Sequence, residues 1–230
     1  IVGVGSMYKY VKRFFDLIMA IIILIVLFIP MVIIAILIKL DSKGPVFFKQ
    51  ERTGKDGKIF LLYKFRSMAV DNDVHDFNCQ DKKTRVGRVL RKFSLDEFPQ
   101  IINIIKGEMS FIGPRPWIPD YYENMTDYQR RRNDVLPGIT GLAQVKGRNN
   151  INIIAKINYD LEYVKNFSFI QDVKIFFLTI ATVLSKEGAD AGKNTIHTEL
   201  EMLMHQEDED KKKEMRKLGK KKKGNISQQA

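Results

Sequence analysis

The chain has 230 residues, and its 38 Lys and Arg against 27 Asp and Glu give a formal net charge of +11 at pH 7. This length fits one domain with appendages, and a single cysteine, Cys79, excludes an intrachain disulfide. The basic balance leaves three kinds of partner open: nucleic acid, an anionic membrane and phosphorylated substrates.

The first predicted element is an apolar segment from Leu17 to Ile38, which runs for 22 positions without a charge. That length suits a membrane helix of about 20 residues. Pro30 lies near its middle and predicts a kink or break, because proline removes a backbone donor and clashes with the preceding turn. Basic residues flank the segment on both sides, whereas a spanning helix normally has them on one side. The residues leave two arrangements open: a single crossing, or a re-entrant hairpin with both ends on the cytoplasmic face.

Asp16 lies at the edge of this segment, where an unpaired carboxylate is costly. Either it sits at the level of the lipid headgroups, or it forms an ion pair with Arg13 or a later basic residue. We favour the ion pair.

The remaining elements are short. Turn signals and β-rich composition predict a hairpin from two strands, Val46 to Gln50 and Ile59 to Phe65. Apolar periodicity and stop signals predict helices over Val86 to Phe93, Asp96 to Lys106, Tyr121 to Asn133 at the surface, Ile154 to Lys165 and Phe169 to Leu184. From about residue 187 the sequence becomes polar and then Lys-rich, which predicts disorder.

Two adjacent carboxylates, Asp96 and Glu97, lie at the start of the predicted second helix. Ser94 and Glu97 have the spacing of a capping box, which is a purely structural interpretation. Asp96 has no part in such a box, and Arg91 lies nearby. We therefore expect the pKa of Asp96 to stay near or below its ordinary value of about 3.9. An ionised carboxylate there could bind Mg²⁺ or attack phosphorus.

Arginines in turns provide the matching anion sites. Arg115 lies between Pro114 and Pro116, so its backbone is restricted, and a guanidinium binds phosphate through two parallel hydrogen bonds. Arg148 follows a second turn-rich stretch, Pro137 to Gly141. The sequence has no P-loop and no Gly-x-Gly-x-x-Gly fingerprint, so neither of these nucleotide-binding folds is supported.

Several motifs together resemble the monotopic phosphoglycosyl transferases, a family of bacterial sugar transferases, over roughly residues 8 to 186. The motifs are Lys12-Arg13-Phe14-Phe15-Asp16, Gly44 to Gln50, Tyr63 to Met68, Ser94 to Gln100, Lys106 to Pro116 and Pro137 to Asn149. Among the short members, the chain looks closest to those acting on UDP-N,N′-diacetylbacillosamine, and it also resembles capsule and exopolysaccharide initiators.

The resemblance implies transfer of a sugar 1-phosphate from a UDP-sugar to polyprenyl (undecaprenyl) phosphate, with release of UMP, at the bacterial inner membrane. It implies a ping-pong mechanism in which Asp96 forms a covalent phosphosugar intermediate and Glu97 assists, both near Mg²⁺. The implied substrate contacts are Lys64, Arg91, Arg115, Arg148 and Asp160; Asp160 would act as an acid in the second shell or beside the metal.

The resemblance also implies an α+β fold. A re-entrant helix-break-helix (residues 8–40) would carry a small, mostly helical cytoplasmic catalytic domain with a short β-hairpin (41–186). Residues 1–7 would be either an artificial leader or the start of the chain, and residues 187–230 a disordered tail.

The competing interpretation is a membrane-tethered basic protein that binds anionic lipid or nucleic acid without catalysis. It leaves the two carboxylates and the rigid Arg115 turn unexplained, and the basic residues lack the interleaved aromatics that stack on bases. We therefore expect a UDP-sugar, polyprenyl phosphate and membrane lipid as partners, and no nucleic acid. The oligomeric state is open.

Overall fold

A computed structural model describes residues 2–69, 83–147, 151–184 and 198–204. These residues form helices and two small two-stranded sheets, which confirms the expected mixture of helix and strand. Cys79 and Arg148 lie outside the described residues.

Helix α1 (Val2–Asp41) is 40 residues long and contains Pro30. The helix continues through the proline, so the predicted break into two helices is not seen. The residues that follow the proline explain how the helix persists: Met31 and Ile34 are buried in an apolar cluster with Phe65 and Leu90. This packing helps offset the backbone hydrogen bond that proline removes.

Strands β1 (Phe47–Thr53) and β2 (Ile59–Phe65) pair antiparallel, from Phe47 opposite Phe65 to Thr53 opposite Ile59. β1 therefore ends three residues beyond the predicted strand. A short 3₁₀ turn, Lys55–Gly57, joins the strands, and Asp56 and Gly57 have the positive φ angles that the turn requires.

The carboxylate pair lies between two short helices, α2 (Arg85–Lys92) and α3 (Gln100–Lys106). The residues in between form a 3₁₀ turn, Leu95–Glu97, so the predicted helix from Asp96 begins four residues too early. Its predicted end is confirmed, because Gly107 caps α3 in the left-handed conformation with φ 86°.

The predicted surface helix from Tyr121 to Asn133 is three shorter pieces: α4 (Pro119–Glu123), α5 (Asp127–Arg130) and a 3₁₀ turn, Arg131–Asn133. The chain breaks because Thr126 and Gln129 form a capping box that starts a new helix. The break turns Arg132 inward, where its exposure is only 2%.

Two three-residue strands, β3 (Ser110–Ile112) and β4 (Gly138–Thr140), pair in parallel. Helix α6 (Leu142–Gly147) follows, and then α7 (Ile153–Lys165) and α8 (Phe169–Leu184) lie close to their predicted ranges.

Residues 198–204 are helical, and Leu203 among them is fully buried. This part of the predicted disordered tail is therefore ordered. Leu203 packs in an apolar cluster with Tyr121 and Met125 of the α4–α5 region and with Ile153 and Ile157 of α7.

The core runs along one side of α1. Ala20 of α1 is buried against β2, α3 and Met109. Farther along the helix, Met31, Ile34 and Ile38 are buried against β2 and α2. The opposite side of α1 is apolar and exposed, with Ile25 and Ile29 about 70% accessible. The helix is long and apolar enough to cross a membrane, yet it also packs on the rest of the chain along most of its length.

Candidate active site

The turn that carries Asp96 and Glu97 is shaped by Ser94. This residue adopts the left-handed conformation, with φ 55°, and its side chain makes no capping hydrogen bond. The capping-box interpretation of Ser94 and Glu97 is therefore wrong. Instead, the Glu97 carboxylate extends toward the basic residues of neighbouring elements.

Glu97 is held by two cations. Its Oε1 accepts a hydrogen bond from Lys64 Nζ at 2.9 Å and from Arg115 Nη2 at 3.1 Å. Burial alone would raise the pKa of Glu97, but Arg115 and Lys64 outweigh it and lower the pKa to about 2. Glu97 is therefore an ionised and fully neutralised carboxylate, and it orients the two basic side chains.

Asp96 is different from its neighbour. It is 9% exposed, and its carboxylate accepts no hydrogen bond from another side chain within the described part of the chain. Burial raises the pKa of Asp96, and the positive charge of Lys64 only partly opposes this effect. The expectation of an ordinary or lowered pKa was wrong because it considered the nearby cations and not the desolvation of the group.

Lys64 and Arg115 reach Glu97 from different parts of the fold. Lys64 projects from β2, and burial lowers the pKa of its ammonium group, against the attraction of Glu97. Arg115 lies in the loop after β3, where its side chain stays 48% exposed. A guanidinium that contacts Glu97 and still faces solvent is available to an incoming anion.

The backbone around Arg115 is fixed by hydrogen bonds from several elements. Gly113 N donates to Thr140 O, Thr53 N donates to Trp117 O, Arg132 Nη2 donates to Arg115 O at 2.7 Å, and Arg52 Nη1 donates to Pro116 O at 3.4 Å. Gly113 is required for this packing, because a Cβ there would lie 2.3 Å from Leu136 O. The loop is therefore a rigid support for one exposed guanidinium.

Asp160 supports this loop indirectly. Both Nε and Nη2 of Arg132 donate to Asp160 Oδ2, at 2.9 and 2.7 Å, and both side chains are 2% exposed. The same Arg132 binds the Arg115 carbonyl and stacks on Trp117 at 3.9 Å. The structure thus places Asp160 against Arg132, with Arg132 and Arg115 between it and Glu97, and not beside the carboxylate pair.

Arg91 lies beside Asp96 but directs its side chain elsewhere. Its Nε donates to Ser67 Oγ at 2.9 Å, and its Nη2 contacts Met68 Sδ. The positive charge of Arg91 still opposes the rise in the pKa of Asp96. Of the predicted site residues, Lys64, Arg91 and Arg115 gather around Asp96 and Glu97.

Sequence reasoning missed Arg52 and Arg132, which hold the Arg115 loop. Arg132 belongs to a run of three arginines that looks like a solvated surface, and no periodicity distinguishes it from its neighbours. Arg52 is one of the basic residues that follow the membrane segment, and nothing in the sequence links it to Arg115. Burial lowers the pKa of Arg52 to about 10, with a further contribution from the positive charge of Arg115.

The donor atoms available to a divalent cation are few. Among the described residues, no group of three or more His, Cys, Asp or Glu side chains could hold a metal ion. Both cations bind the same oxygen of Glu97, which leaves Oε2 and the Asp96 carboxylate as the nearby oxygen ligands. This set fits Mg²⁺, which is commonly bound by one or two carboxylates together with substrate phosphates and water.

Both ends of α1 are tied to this domain by polar contacts. Near the start of the helix, Arg13 donates to Ile104 O and Ile105 O at the end of α3. Near its end, Arg66 donates to Ser42 O and Lys43 O, just beyond the helix, and the Asp41 carboxylate accepts from Val86 N. The favoured ion pair of Asp16 with Arg13 or a later basic residue is not seen among the described residues, and Arg13 caps α3 instead.

Residues 7–186 match the model of a family described as bacterial sugar transferase. This range is well over half of the chain, so the chain belongs to the bacterial sugar transferase family. The match confirms the resemblance to phosphoglycosyl transferases that the sequence motifs indicated.

The chain is also similar to individual bacterial proteins. The chain is 45% identical over 179 residues to a protein of Bacillus subtilis called uncharacterized sugar transferase EpsL; the match covers 77% of this chain and 89% of that protein. It is 43% identical to an undecaprenyl-phosphate N-acetylgalactosaminephosphotransferase of Aeromonas hydrophila, over 80% of this chain and 46% of that protein. It is 40% identical to an undecaprenyl-phosphate glucose phosphotransferase of Komagataeibacter xylinus, over 74% of this chain and 35% of that protein. The chain thus spans less than half the length of the last two.

Proposed function

We propose that this protein transfers a sugar 1-phosphate from a UDP-sugar to polyprenyl phosphate at the cytoplasmic face of a bacterial inner membrane, and releases UMP. The observation that carries the proposal is the unequal pair in the Leu95–Glu97 turn. Glu97 is fixed by Lys64 and Arg115, whereas Asp96 is buried beside it without a side-chain hydrogen-bond partner in the described residues. One carboxylate organises the cations and the other is left to react.

In the first half of the reaction, an Asp96 oxygen attacks the donor phosphorus that carries the sugar. The bond between that phosphorus and the oxygen bridging it to the uridine monophosphate breaks, and UMP leaves with the electron pair. Asp96 is then esterified to the phosphosugar. The exposed guanidinium of Arg115 suits the diphosphate, because it can form two parallel hydrogen bonds to phosphate oxygens.

In the second half, an oxygen of polyprenyl phosphate attacks the same phosphorus. The acyl–phosphate bond breaks, the Asp96 carboxylate is restored, and the lipid carries a diphosphate-linked sugar. The buried position of Asp96 protects the intermediate from water between the two halves.

Mg²⁺ is the cofactor that the Asp96 carboxylate and Glu97 Oε2 could hold together with the donor diphosphate. When bound, it would offset negative charge on the phosphate oxygens. Lys64 and Arg115 remain on Glu97 Oε1, so these cations and the metal would not compete for one oxygen.

We propose further that both ends of α1 lie on the side of the catalytic domain. A helix that crossed the bilayer would carry its ends to opposite faces. Here Arg13 contacts α3, and Asp41 contacts α2, within one domain. The exposed apolar side of α1 would then enter one leaflet, in a re-entrant or in-plane arrangement, without crossing to the far side.

The exposed side of α8 extends this apolar surface. Phe169, Ile170, Phe176 and Phe177 are more than half exposed, and α8 borders α1 around Phe15 and Met19. Aromatic and aliphatic side chains on one side of a helix suit the boundary between headgroups and acyl chains. This surface would bring the site to the lipid-borne acceptor.

A panel of UDP-sugars tests the reaction class. Purified protein in detergent micelles with polyprenyl phosphate and Mg²⁺ should release UMP with at least one donor. An Arg115→Ala variant should show a raised donor KM, whereas Arg131→Ala, at an exposed surface arginine, should behave like the parent. Absence of UMP with every donor would contradict the proposal and favour a binding protein without catalysis.

A further inference from the structure

The helical segment 198–204 lies outside the range that matches the family, which ends at residue 186. It is nonetheless docked on the catalytic domain. Leu203 is fully buried, and Glu199 makes two polar contacts: it accepts from the Tyr121 hydroxyl at 2.7 Å and from Lys156 Nζ at 2.8 Å. Two different elements, α4 and α7, are thus joined by one short segment.

The docking site of this segment is continuous with the support of the Arg115 loop. Leu203 packs in one cluster with Tyr121, and Trp117 packs against the same cluster. The Trp117 and Tyr121 rings lie 5.3 Å apart. The Trp117 ring is also stacked by Arg132, which holds the Arg115 carbonyl.

We propose that residues 198–204 are a positioning element for Arg115. Leu203 and Glu199 fix α4 and Trp117, Trp117 and Asp160 fix Arg132, and Arg132 fixes the backbone of the arginine that contacts Glu97. None of the residues 198–204 touches substrate in this account. The inference rests on the proposed function, because Arg115 is the group that binds the donor diphosphate there.

The physical reason for such an element is the exposure of Arg115. A half-exposed arginine has many rotamers, and only a fixed backbone keeps its guanidinium near Glu97 and the donor. The Arg132–Asp160 pair supplies one anchor. Trp117 is only partly buried and needs the packing of this cluster to hold Arg132 in place.

Two truncated chains separate this segment from the rest of the tail. A chain ending at residue 206 keeps the segment and loses the Lys-rich region. A chain ending at residue 186 loses both. We expect the first to retain the donor KM of the full chain, and the second to show a donor KM raised by about tenfold with a smaller change in kcat.

Point variants repeat the comparison within the full chain. Leu203→Asp should raise the donor KM, and Leu203→Met should restore it, because methionine fills a similar apolar volume. Met204→Asp is the matched control, since Met204 is adjacent and 46% exposed. Trp117 is the only tryptophan in the chain, so its fluorescence should shift to the red in Leu203→Asp and not in Met204→Asp.

A double-mutant cycle tests whether Leu203 changes the donor KM through Arg115. If residues 198–204 act through Arg115, Leu203→Asp should change the donor KM little once Arg115→Ala is present. An equal effect in both backgrounds, or a red-shifted Trp117 with unchanged donor KM, would overturn the inference. Failure of the proposed function is read separately, as absence of UMP release by the unaltered chain.

Discussion

Asp96 and Glu97 are adjacent carboxylates with opposite environments. Two cations lower the pKa of Glu97 to about 2, whereas burial raises the pKa of Asp96. A more basic carboxylate is a stronger nucleophile once it is ionised, and one without strong ion pairs does not have to break them to react. The assignment of Asp96 as the nucleophile follows from this difference.

The acidic limb of the pH–rate profile tests whether the pKa of Asp96 is raised. Only the deprotonated form of Asp96 can attack, so the rate of the first half-reaction should fall as the pH falls through the raised pKa. We expect this fall above the range of an ordinary aspartate, about 3.9. UMP released in a single turnover without acceptor measures it. A midpoint of the fall in rate at or below about 3.9 would contradict the assignment of Asp96 as the nucleophile, because the pKa of Asp96 is raised. Glu97 would not cause a fall at higher pH, since its pKa is about 2.

The buried Arg132–Asp160 pair should be important for stability. Asp160→Asn would leave Arg132 charged and buried without its partner, at a cost of about 3–5 kcal/mol in the free energy of unfolding. Asp127→Asn removes the exposed partner of Arg130 and should cost less than about 1 kcal/mol. Unfolding of both variants in detergent measures the difference. Equal, small effects would show that Asp160 has another role.

Among single residues, the sequence pointed to those that the structure brings together, Asp96, Glu97, Lys64 and Arg115, better than to their supports. Arg115 between prolines and the two adjacent carboxylates stand out as residue types in a recognisable pattern. Arg132 has no such pattern, and its buried position depends on the break between α4 and α5. The raised pKa of Asp96 depends on desolvation, which only the packed structure reveals.

The element that presents the carboxylates is a three-residue turn and not the first turn of a helix. Ser94 takes a left-handed conformation there, and Glu97 N bonds back to Ser94 O. The Glu97 side chain is thereby free to reach Lys64 on β2. A regular capping box would have held that carboxylate at the helix end.

Two serine and threonine variants test this difference. Ser94→Ala should change the free energy of unfolding by no more than about 0.5 kcal/mol, because the Ser94 side chain caps no helix. Thr126→Ala removes a true capping box at α5 and should cost about 1 kcal/mol. Thermal unfolding of both proteins provides the comparison. A loss at Ser94 as large as that at Thr126 would restore the capping-box interpretation.

Long helices with a repeating apolar pattern could be predicted from the sequence, and short elements could not. α7 and α8 have enough turns for a periodic pattern to appear, and both lie near their predicted ranges. β3 and β4 have three residues each and exist because Gly113 and Gly138 let distant backbones meet. The break expected at Pro30 failed because neighbouring side chains pack around the helix there.

The whole molecule is organised around α1, which contacts the catalytic domain on one side and exposes apolar residues on the other. Its two ends are anchored in the same domain, by Arg13 at α3 and by Arg66 and Asp41 near β2 and α2. The proposed arrangement would account for basic residues on both flanks, since both flanks would meet the same membrane surface. α8 lies beside α1 and would lie at that surface too.

Single-cysteine labelling tests this orientation. With Cys79→Ser as background, Lys9→Cys and Lys43→Cys should react with a membrane-impermeant maleimide from the same side of the bilayer. Ile25→Cys, on the exposed apolar side of α1, should be protected until detergent is added. Labelling of positions 9 and 43 from opposite sides would show that the helix crosses the membrane.

The sequence indicated the long apolar helix and the range that matches the family, because a long uncharged run and several long motifs are local signals. It did not indicate that residues 198–204 dock on the domain. The only signal was the pair Leu200 and Leu203, one helical turn apart within a polar region. Such a short pattern has meaning only when its partner surface, built from α4 and α7, is known.

The most direct measurement is the mass of the protein after exposure to a UDP-sugar and Mg²⁺ without acceptor. We predict an added phosphosugar on Asp96, its loss on addition of polyprenyl phosphate, and neither adduct nor turnover in Asp96→Asn. Full activity of Asp96→Asn, or UMP release only when acceptor is present and with no adduct ever formed, would contradict this prediction.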